Sequence, residues 1–384
     1  MPTRLPFLAS SMLAVLAALC VEGRTMAADT AEAQWRTAFV KRGFVGAFQN
    51  TWLKGPGSVI RSRTPMPFTG MRVKVLAVGT YGKEVVLDHL SLIAGTDDVG
   101  STAGAAHPIL FDGKPSVTFT TATEQWSDET AIPMTVGTWY VQDSYRGELM
   151  PYAYDVDNGF CGPAGSDGDV HLPGIITGSR AGVVTRIEVL TTDLRPGIVC
   201  FGDSITHGFK ATPNCGKRYP DQLAGLLDRP VLNLGVNGDV IQYSGGAPSL
   251  ITSLKGIDTV VFLLGINDLI GGSITSVEAY ATRATAVIAG VKGHGLKIYI
   301  GTLLPASGYA DYDKKLPAIE VLRQQINTWI RTSSGATGVI DFDRGLADPQ
   351  TPGRMRSALQ SDWLHPDDAG YRVMAETAAT VLRQ

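Results

Sequence analysis

Two patterns of apolar and polar positions divide the chain. From about residue 30 to 193, apolar positions alternate with polar ones in short runs. Examples are Arg72-Val73-Lys74-Val75, Val117-Thr118-Phe119-Thr120, Trp139-Tyr140-Val141-Gln142 and Thr185-Arg186-Ile187-Glu188-Val189. Period-two alternation marks strands with one buried face, and Gly, Pro, Asp and Asn interrupt these runs at short intervals. An all-β, sandwich or jelly-roll-like region is expected over 30–193. From Gly197 the pattern changes. Continuous apolar runs predict strands at 198–202, 230–235, 259–264, 297–303 and 338–342. Between them, helices are predicted at 219–228, 246–254, 274–292, 315–333 and 367–382. Strands apolar on both faces that alternate with helices predict a parallel sheet covered on both sides, an α/β region over 194–384. The junction Asp193-Leu194-Arg195-Pro196-Gly197 is too short for a free linker, so the two regions are expected to touch.

The first residues follow neither pattern. Arg4 is followed by an apolar, Ala/Leu-rich stretch from Leu5 to Cys20, and then by small residues in Thr25-Met26-Ala27-Ala28. That order predicts a signal peptide over 1–27, cleaved to leave a secreted or periplasmic protein. The stretch is shorter than the roughly 20 residues of a spanning helix, so stable membrane insertion is not expected. A net charge of −3 with 18% charged residues gives no reason to expect nucleic acid as partner. Among the cysteines, Cys200 lies in an apolar run and reads as a buried small side chain. Cys161 and Cys215 lie in turn-rich segments, and whether they pair is left open by the sequence. The acidic, Gly-rich segments 155–159 and 165–169 read as surface loops, since Asp, Asn and Gly are turn formers. The aromatic residues Trp126, Trp139, Tyr140 and Tyr145 stand at strand spacing, where core packing is favoured over a sugar-binding face.

The candidate chemistry lies in the second half. Phe201-Gly202-Asp203-Ser204-Ile205-Thr206-His207-Gly208 turns out of the first buried strand and places a serine at that turn. Ser204 is the candidate nucleophile; capping a helix is the alternative role for such a serine. A serine hydroxyl needs a base, a group that orients the base, and donors for the oxyanion that forms. His365, in the loop before the last helix, is the candidate base, and His207 is its rival. Asp362, three residues before His365, can reach the imidazole across a turn and hold its tautomer. Asp367 and Asp368 begin the last helix and read as capping residues. Gly238 and Asn267, each following an apolar strand, are the candidate oxyanion donors together with the Ser204 backbone N–H. Gly235 and Gly265 read as turn and packing residues. No His/Asp spacing suggests a metal site, and no cofactor is expected.

These segments resemble the four signature blocks of the SGNH (GDSL-type) hydrolases: Gly202-Asp203-Ser204-Ile205, Asn233 to Gly238, Gly265-Ile266-Asn267-Asp268 and Asp362-Trp363-Leu364-His365. The resemblance covers about 196–384. One departure is Ile205, where the name-giving pattern has Leu. The resemblance implies a flavodoxin-like three-layer α/β/α fold without a metal. It also implies hydrolysis of carboxylic esters or thioesters through an acyl-enzyme. It carries the nucleophile onto Ser204, the oxyanion donors onto Gly238 and Asn267, and the remaining pair onto Asp362 and His365. The order of a β-rich region running into the hydrolase region is similar to secreted bacterial SGNH esterases. The expected partner is therefore an ester substrate, with acetylated polysaccharide as the favoured class. A lipase or thioesterase acting on longer acyl chains, and a glycan-binding protein on a relic hydrolase fold, are the alternatives.

Overall fold

The computed structural model describes residues 32–42, 51–54, 59–79, 84–96, 101–120, 123–146, 149–152, 160–162 and 182–384; for 51–54, 149–152 and 160–162 it describes the backbone alone. The expected signal peptide, the loops 155–159 and 165–169, His171 and the Cys161 side chain lie outside the described residues. Cys215 is exposed and carries a free thiol, as does buried Cys200.

The first half is made of strands β1 Gln34–Val40, β2 Thr51–Lys54, β3 Val59–Met66, β4 Gly70–Val78, β5 Val85–Gly95, β6 Thr102–Ile109 and β7 Val117–Phe119. After these come β8 Glu124–Trp126, β9 Thr130–Met134, β10 Gly137–Arg146, β11 Leu149–Tyr152, β12 Phe160–Gly162 and β13 Val184–Thr191. They pair antiparallel into one sheet ordered β1-β13-β4-β8, with β9 also on β4, and another ordered β12-β3-β10-β5-β6, with β7 on β5. Strands β2 and β11 form a separate pair. Val73, Val75, Ile187 and Val189 from the first sheet share one buried cluster with Leu87, Leu92, Trp139 and Val141 from the second. That is the core of a two-sheet sandwich. Trp139, Tyr140 and Tyr145 are buried, whereas Trp126 is 37% exposed and lies with its ring under the Lys74 ammonium.

The second half alternates as expected. Its elements are β14 Gly197–Gly202, α1 Ser204–His207, α2 Tyr219–Leu227, β15 Val231–Gly235, α3 Ala247–Thr252, β16 Ile257–Leu263, α4 Ile266–Gly271 and α5 Val277–Lys292. They continue as β17 Lys297–Gly301, α6 Ala310–Asp313, α7 Ala318–Ser333, β18 Gly338–Ile340, α8 Phe342–Leu346 and α9 Asp368–Leu382. All five strands run parallel in the order β15-β14-β16-β17-β18, the flavodoxin-like order that switches direction beside β14. Every residue of β14 is buried, because helices cover both faces of the sheet. The helix predicted at 246–254 forms as α3, preceded by a 3₁₀ turn over 241–246 that the sequence did not signal, and Pro248 lies in the first turn of α3, where its missing N–H costs nothing. Among the described residues, no helix is long and apolar enough to cross a membrane.

The two halves meet along β1, within one compact unit over Ala33–Gln384. Thr37 N–H donates to the Lys255 carbonyl at 3.2 Å, and its Oγ1 accepts from Lys255 N–H at 2.9 Å. Arg36 donates to the carbonyls of Arg195 (2.7 Å) and Gly256 (2.6 Å). Lys255 Nζ reaches the buried Glu188 carboxylate of β13 at 2.7 Å. A cavity of about 300 Å³ opens between the halves, walled by Val40 and Met66 on one side and by Leu232, Val236, His207 and Arg218 on the other.

Candidate active site

A parallel sheet delivers its loops to one edge, and four such loops converge at the C-terminal ends of β14, β15 and β16 and ahead of α9. Gly202 ends β14 at a close approach: a Cβ there would lie 2.6 Å from the Leu263 carbonyl oxygen. Asp203 then caps α1, its Oδ1 accepting from Ile205 N–H at 2.9 Å. Ser204 is the first residue of α1, so its own backbone N–H has no acceptor within the helix. Gly235 is a packing residue, as expected, since a Cβ would sit 2.0 Å from His207 N. Gly265 is too: it has φ +133 and packs against Tyr280.

Ser204 Oγ lies 2.9 Å from His365 Nε2. His365 Nδ1 lies 2.9 Å from Asp362 Oδ2. An ionised carboxylate only accepts, so the proton of the imidazole is on Nδ1, and Nε2 is left to accept from the serine hydroxyl. The turn that makes this possible is tight. Trp363, between the two residues, has φ +69, a conformation few side chains adopt. It is held there by Arg354, whose guanidinium lies 4.3 Å from the ring centroid, and by its N–H bond to Gln360 Oε1 at 2.7 Å. The reversal brings Asp362 Oδ1 under the N–H groups of Leu364 (3.1 Å) and His365 (2.8 Å). Partial burial raises the Asp362 carboxyl, but the hydrogen bonds and charge of His365 outweigh it and hold it at about 2. Phe209 packs edge-on against the His365 ring, centroids 4.7 Å apart.

The two other predicted residues lie on the neighbouring loops. Gly238 has φ +75, and a Cβ built there meets nothing within 4 Å, so this backbone borders open space. One Asn267 amide hydrogen is given to the Asp239 carbonyl at 2.9 Å, which ties the Gly238-Asp239 segment to the start of α4. Among the described residues this is the hydrogen bond that the Asn267 amide makes, and an amide nitrogen carries two hydrogens. His207, the rival base, is buried and faces the cavity between the halves, while His365 takes the serine. None of Ser204, Gly238, Asn267, Asp362 or His365 walls that cavity.

Asp367 and Asp368 both stand at the start of α9, as expected, but only Asp367 bonds a helix N–H. Asp367 caps α9, accepting from Gly370 N–H at 2.9 Å. Asp368 instead accepts from Thr212 N–H (2.8 Å) and Thr212 Oγ1 (2.6 Å), fastening the 208–212 loop. Several supporting residues were passed over in the sequence. Asn233 donates to the Thr206 carbonyl at 2.9 Å and so binds α1 to β15. Asp268 accepts from Ile241 N–H at 2.8 Å and Ser273 Oγ at 3.1 Å. Asp203 is fully buried with its Oδ2 unpartnered, and burial pushes its carboxyl up to about 7. Asn233, Asp203 and Asp268 stand inside the quoted blocks, so the blocks themselves were the signal for them. Among the described residues, no group of three His, Cys, Asp or Glu side chains is placed to hold a metal.

A doubly wound sheet with serine, imidazole and carboxylate in line at its C-terminal edge is the arrangement of a serine hydrolase. Residues 200–373 match the model of the GDSL-like lipase/acylhydrolase family, and this segment is a GDSL-like hydrolase domain. Solved structures align with the same half. A member of the lipolytic protein G-D-S-L family from Veillonella parvula is 19% identical, with 49% of this chain and 98% of that chain covered and a TM-score of 0.39. A carbohydrate acetylesterase family member from Sinorhizobium meliloti is 20% identical, with 49% and 97% covered and a TM-score of 0.41. No curated protein matches the chain.

Proposed function

We propose that this protein is a secreted or periplasmic serine esterase that cleaves short-acyl, acetyl-type esters of carbohydrates through an acyl-enzyme. The observation that carries the reading is the unbroken line from Asp362 through His365 to Ser204, with both links at 2.9 Å. Ser204 Oγ attacks the acyl carbon as its proton passes to His365 Nε2. The carbonyl electron pair moves onto oxygen, where the N–H groups of Ser204 and Gly238 and an Asn267 amide hydrogen receive it. The intermediate collapses, the bond to the alcohol oxygen breaks, and the alcohol leaves with the proton from Nε2. Water then gives a proton to Nε2 and attacks the acyl carbon, and Ser204 Oγ departs with that proton. Asp362 holds the imidazolium through both steps.

The order of a β-rich half running into the α/β half that carries Ser204 is what favours a carbohydrate ester, and with it a small acyl group. Export is supported by Arg4 and the apolar run that follows it. The test is hydrolysis of aryl esters from acetyl to palmitoyl by the wild type and by Ser204→Ala. Turnover confined to acetyl and butyryl esters, with kcat down about 10⁶-fold in the variant, is expected. A maximum at long chains would replace the carbohydrate-ester reading with a lipase, and turnover that survives Ser204→Ala would remove the mechanism.

A further inference from the structure

Arg42 belongs by sequence to the β-rich half, two residues past the end of β1. By position it is part of the other half. Its Nε donates to the Leu234 carbonyl at 2.9 Å and its Nη2 to the Gly202 carbonyl at 2.8 Å. Its Nη1 pairs with Asp239 Oδ2 at 2.5 Å. The guanidinium also lies 4.2 Å from the ring centroid of Phe201. One planar fork therefore joins the end of β14, the end of β15 and the loop that follows β15. The side chain is 18% exposed, and burial lowers its pKa against the opposing pull of Asp239.

Each of the three anchor points adjoins a group that the reaction needs. Gly202 is two residues before Ser204, and its carbonyl also accepts from Val236 N–H at 3.0 Å. Asp239 follows Gly238, the oxyanion glycine. The Asp239 carbonyl is the one held by Asn267 at 2.9 Å. The Gly238-Asp239 segment is thus gripped from two sides: by Asn267 through its backbone and by Arg42 through its side chain. Gly238 has φ +75 and no side chain to pack, so its held neighbours set the direction of its N–H. The Arg42 guanidinium is rigid and five-donor, which suits it to hold two carbonyls by hydrogen bonds and the Asp239 carboxylate by charge at once; a lysine ammonium on a flexible stem does not reproduce that.

We infer that Arg42 is a positioning residue for the oxyanion site, supplied by the β-rich half, which aligns the Gly238 loop against the Ser204 turn. The inference rests on the esterase reading above. It gives the β-rich half a part in the chemical step that does not depend on binding any ligand. Arg36 provides the internal control. It also ties β1 to the hydrolase half, through the Arg195 and Gly256 carbonyls, but at the opposite end of β1 and away from the Ser204 loops.

The experiment compares full-length wild type, Arg42→Ala, Arg42→Lys and Arg36→Ala on an aryl acetate, with kcat, KM and the thermal midpoint measured for each. A misalignment on the order of 1 Å costs about 10²-fold in rate. Arg42→Ala is therefore expected to lose about 10²-fold in kcat with KM nearly unchanged. Arg42→Lys should recover little of that loss, and added guanidinium ion should restore part of it to Arg42→Ala. Arg36→Ala should lower the thermal midpoint and keep wild-type kcat. Wild-type kcat in Arg42→Ala would overturn the inference and leave the esterase reading intact. So would an equal fall in kcat in Arg36→Ala, which would mean that docking of the halves, not this contact, is what matters. If the wild type itself has no turnover that depends on Ser204, the esterase reading fails and this inference fails with it. If Arg42→Ala does not fold, Asp239→Asn probes the same contact from the hydrolase side, and unchanged kcat there overturns the inference.

Discussion

The two halves of this molecule bury their strands differently, and the difference governs what each can do. In the hydrolase half all five strands are parallel and helix-covered, so β14 is buried throughout and reads as one apolar run. Its side chains are committed to the core, and chemistry is left to the loops at one edge. In the β-rich half each strand has one face in the sandwich core. The other face is spent on the surface, on the hydrolase half, or on buried polar groups such as Asp143 and Glu188. A half built that way can lend a side chain to its neighbour without losing its own core, and β1 lends Arg36, Thr37 and, just beyond its end, Arg42.

If reaction belongs to the loop edge of the hydrolase half, substitutions there should lower rate far more than stability. Asp362→Asn should have the largest effect after Ser204→Ala. Removing the carboxylate that sets the imidazole tautomer costs about 10⁴-fold in kcat, readable by steady-state kinetics on an aryl acetate. Its acid limb sharpens the point. A carboxyl held at about 2 in the folded protein contributes stability that is present above its ordinary pKa near 3.9 and is lost as pH falls towards 2. The variant should lack that part of the acid dependence in thermal unfolding. Asn267→Ala comes next, with a loss of about 10²–10³-fold in kcat. It also frees the Asp239 carbonyl, so a loss below tenfold would argue that the oxyanion is held elsewhere.

The smallest effect tests the β-rich half. Asp143 is fully buried, accepting from Tyr145 Oη at 2.8 Å and Val183 N–H at 3.1 Å, with Oδ1 unpartnered. Burial pushes its carboxyl up to about 6. Between its ordinary pKa near 3.9 and about 6 the folded protein holds a proton that the unfolded chain has released. This group therefore favours folding at the acid end, and its contribution falls as pH rises through 6. Asp143→Asn should raise the thermal midpoint at pH 7 by a few degrees, roughly 1–3 kcal/mol, with kcat unchanged. A residual slope should persist, because Asp203, pushed up to about 7 by burial, acts with the same sign. A fall in kcat in Asp143→Asn would break the comparison, since the described hydrogen bonds of Asp143 go to Tyr145 and Val183 of the β-rich half.

Much of this was legible in the residues. The five apolar runs announced the five parallel strands, because a strand covered on both faces has no polar face to interrupt it. The blocks around Ser204 and His365 announced two groups that meet at the sheet edge, and those around Gly238 and Asn267 announced residues that follow β15 and β16, because a βα unit returns its loop to the same side. The three-residue spacing of Asp362 and His365 announced their pairing. Tertiary structure alone decided what depends on distant segments. The alternation in the first half marks strands but not their partners, and β3 pairs with β10 across more than seventy residues. Asp368 stands in the first turn of α9 as the sequence implied, but only the fold brings Thr212 of the 208–212 loop to its carboxylate. Arg42 carries no local signal, since a lone arginine after a strand is an ordinary surface residue. Only the packing of β1 beside β15 sets its guanidinium between two carbonyls and a carboxylate of the other half, and a contact of that kind has no period or spacing to be read along the chain.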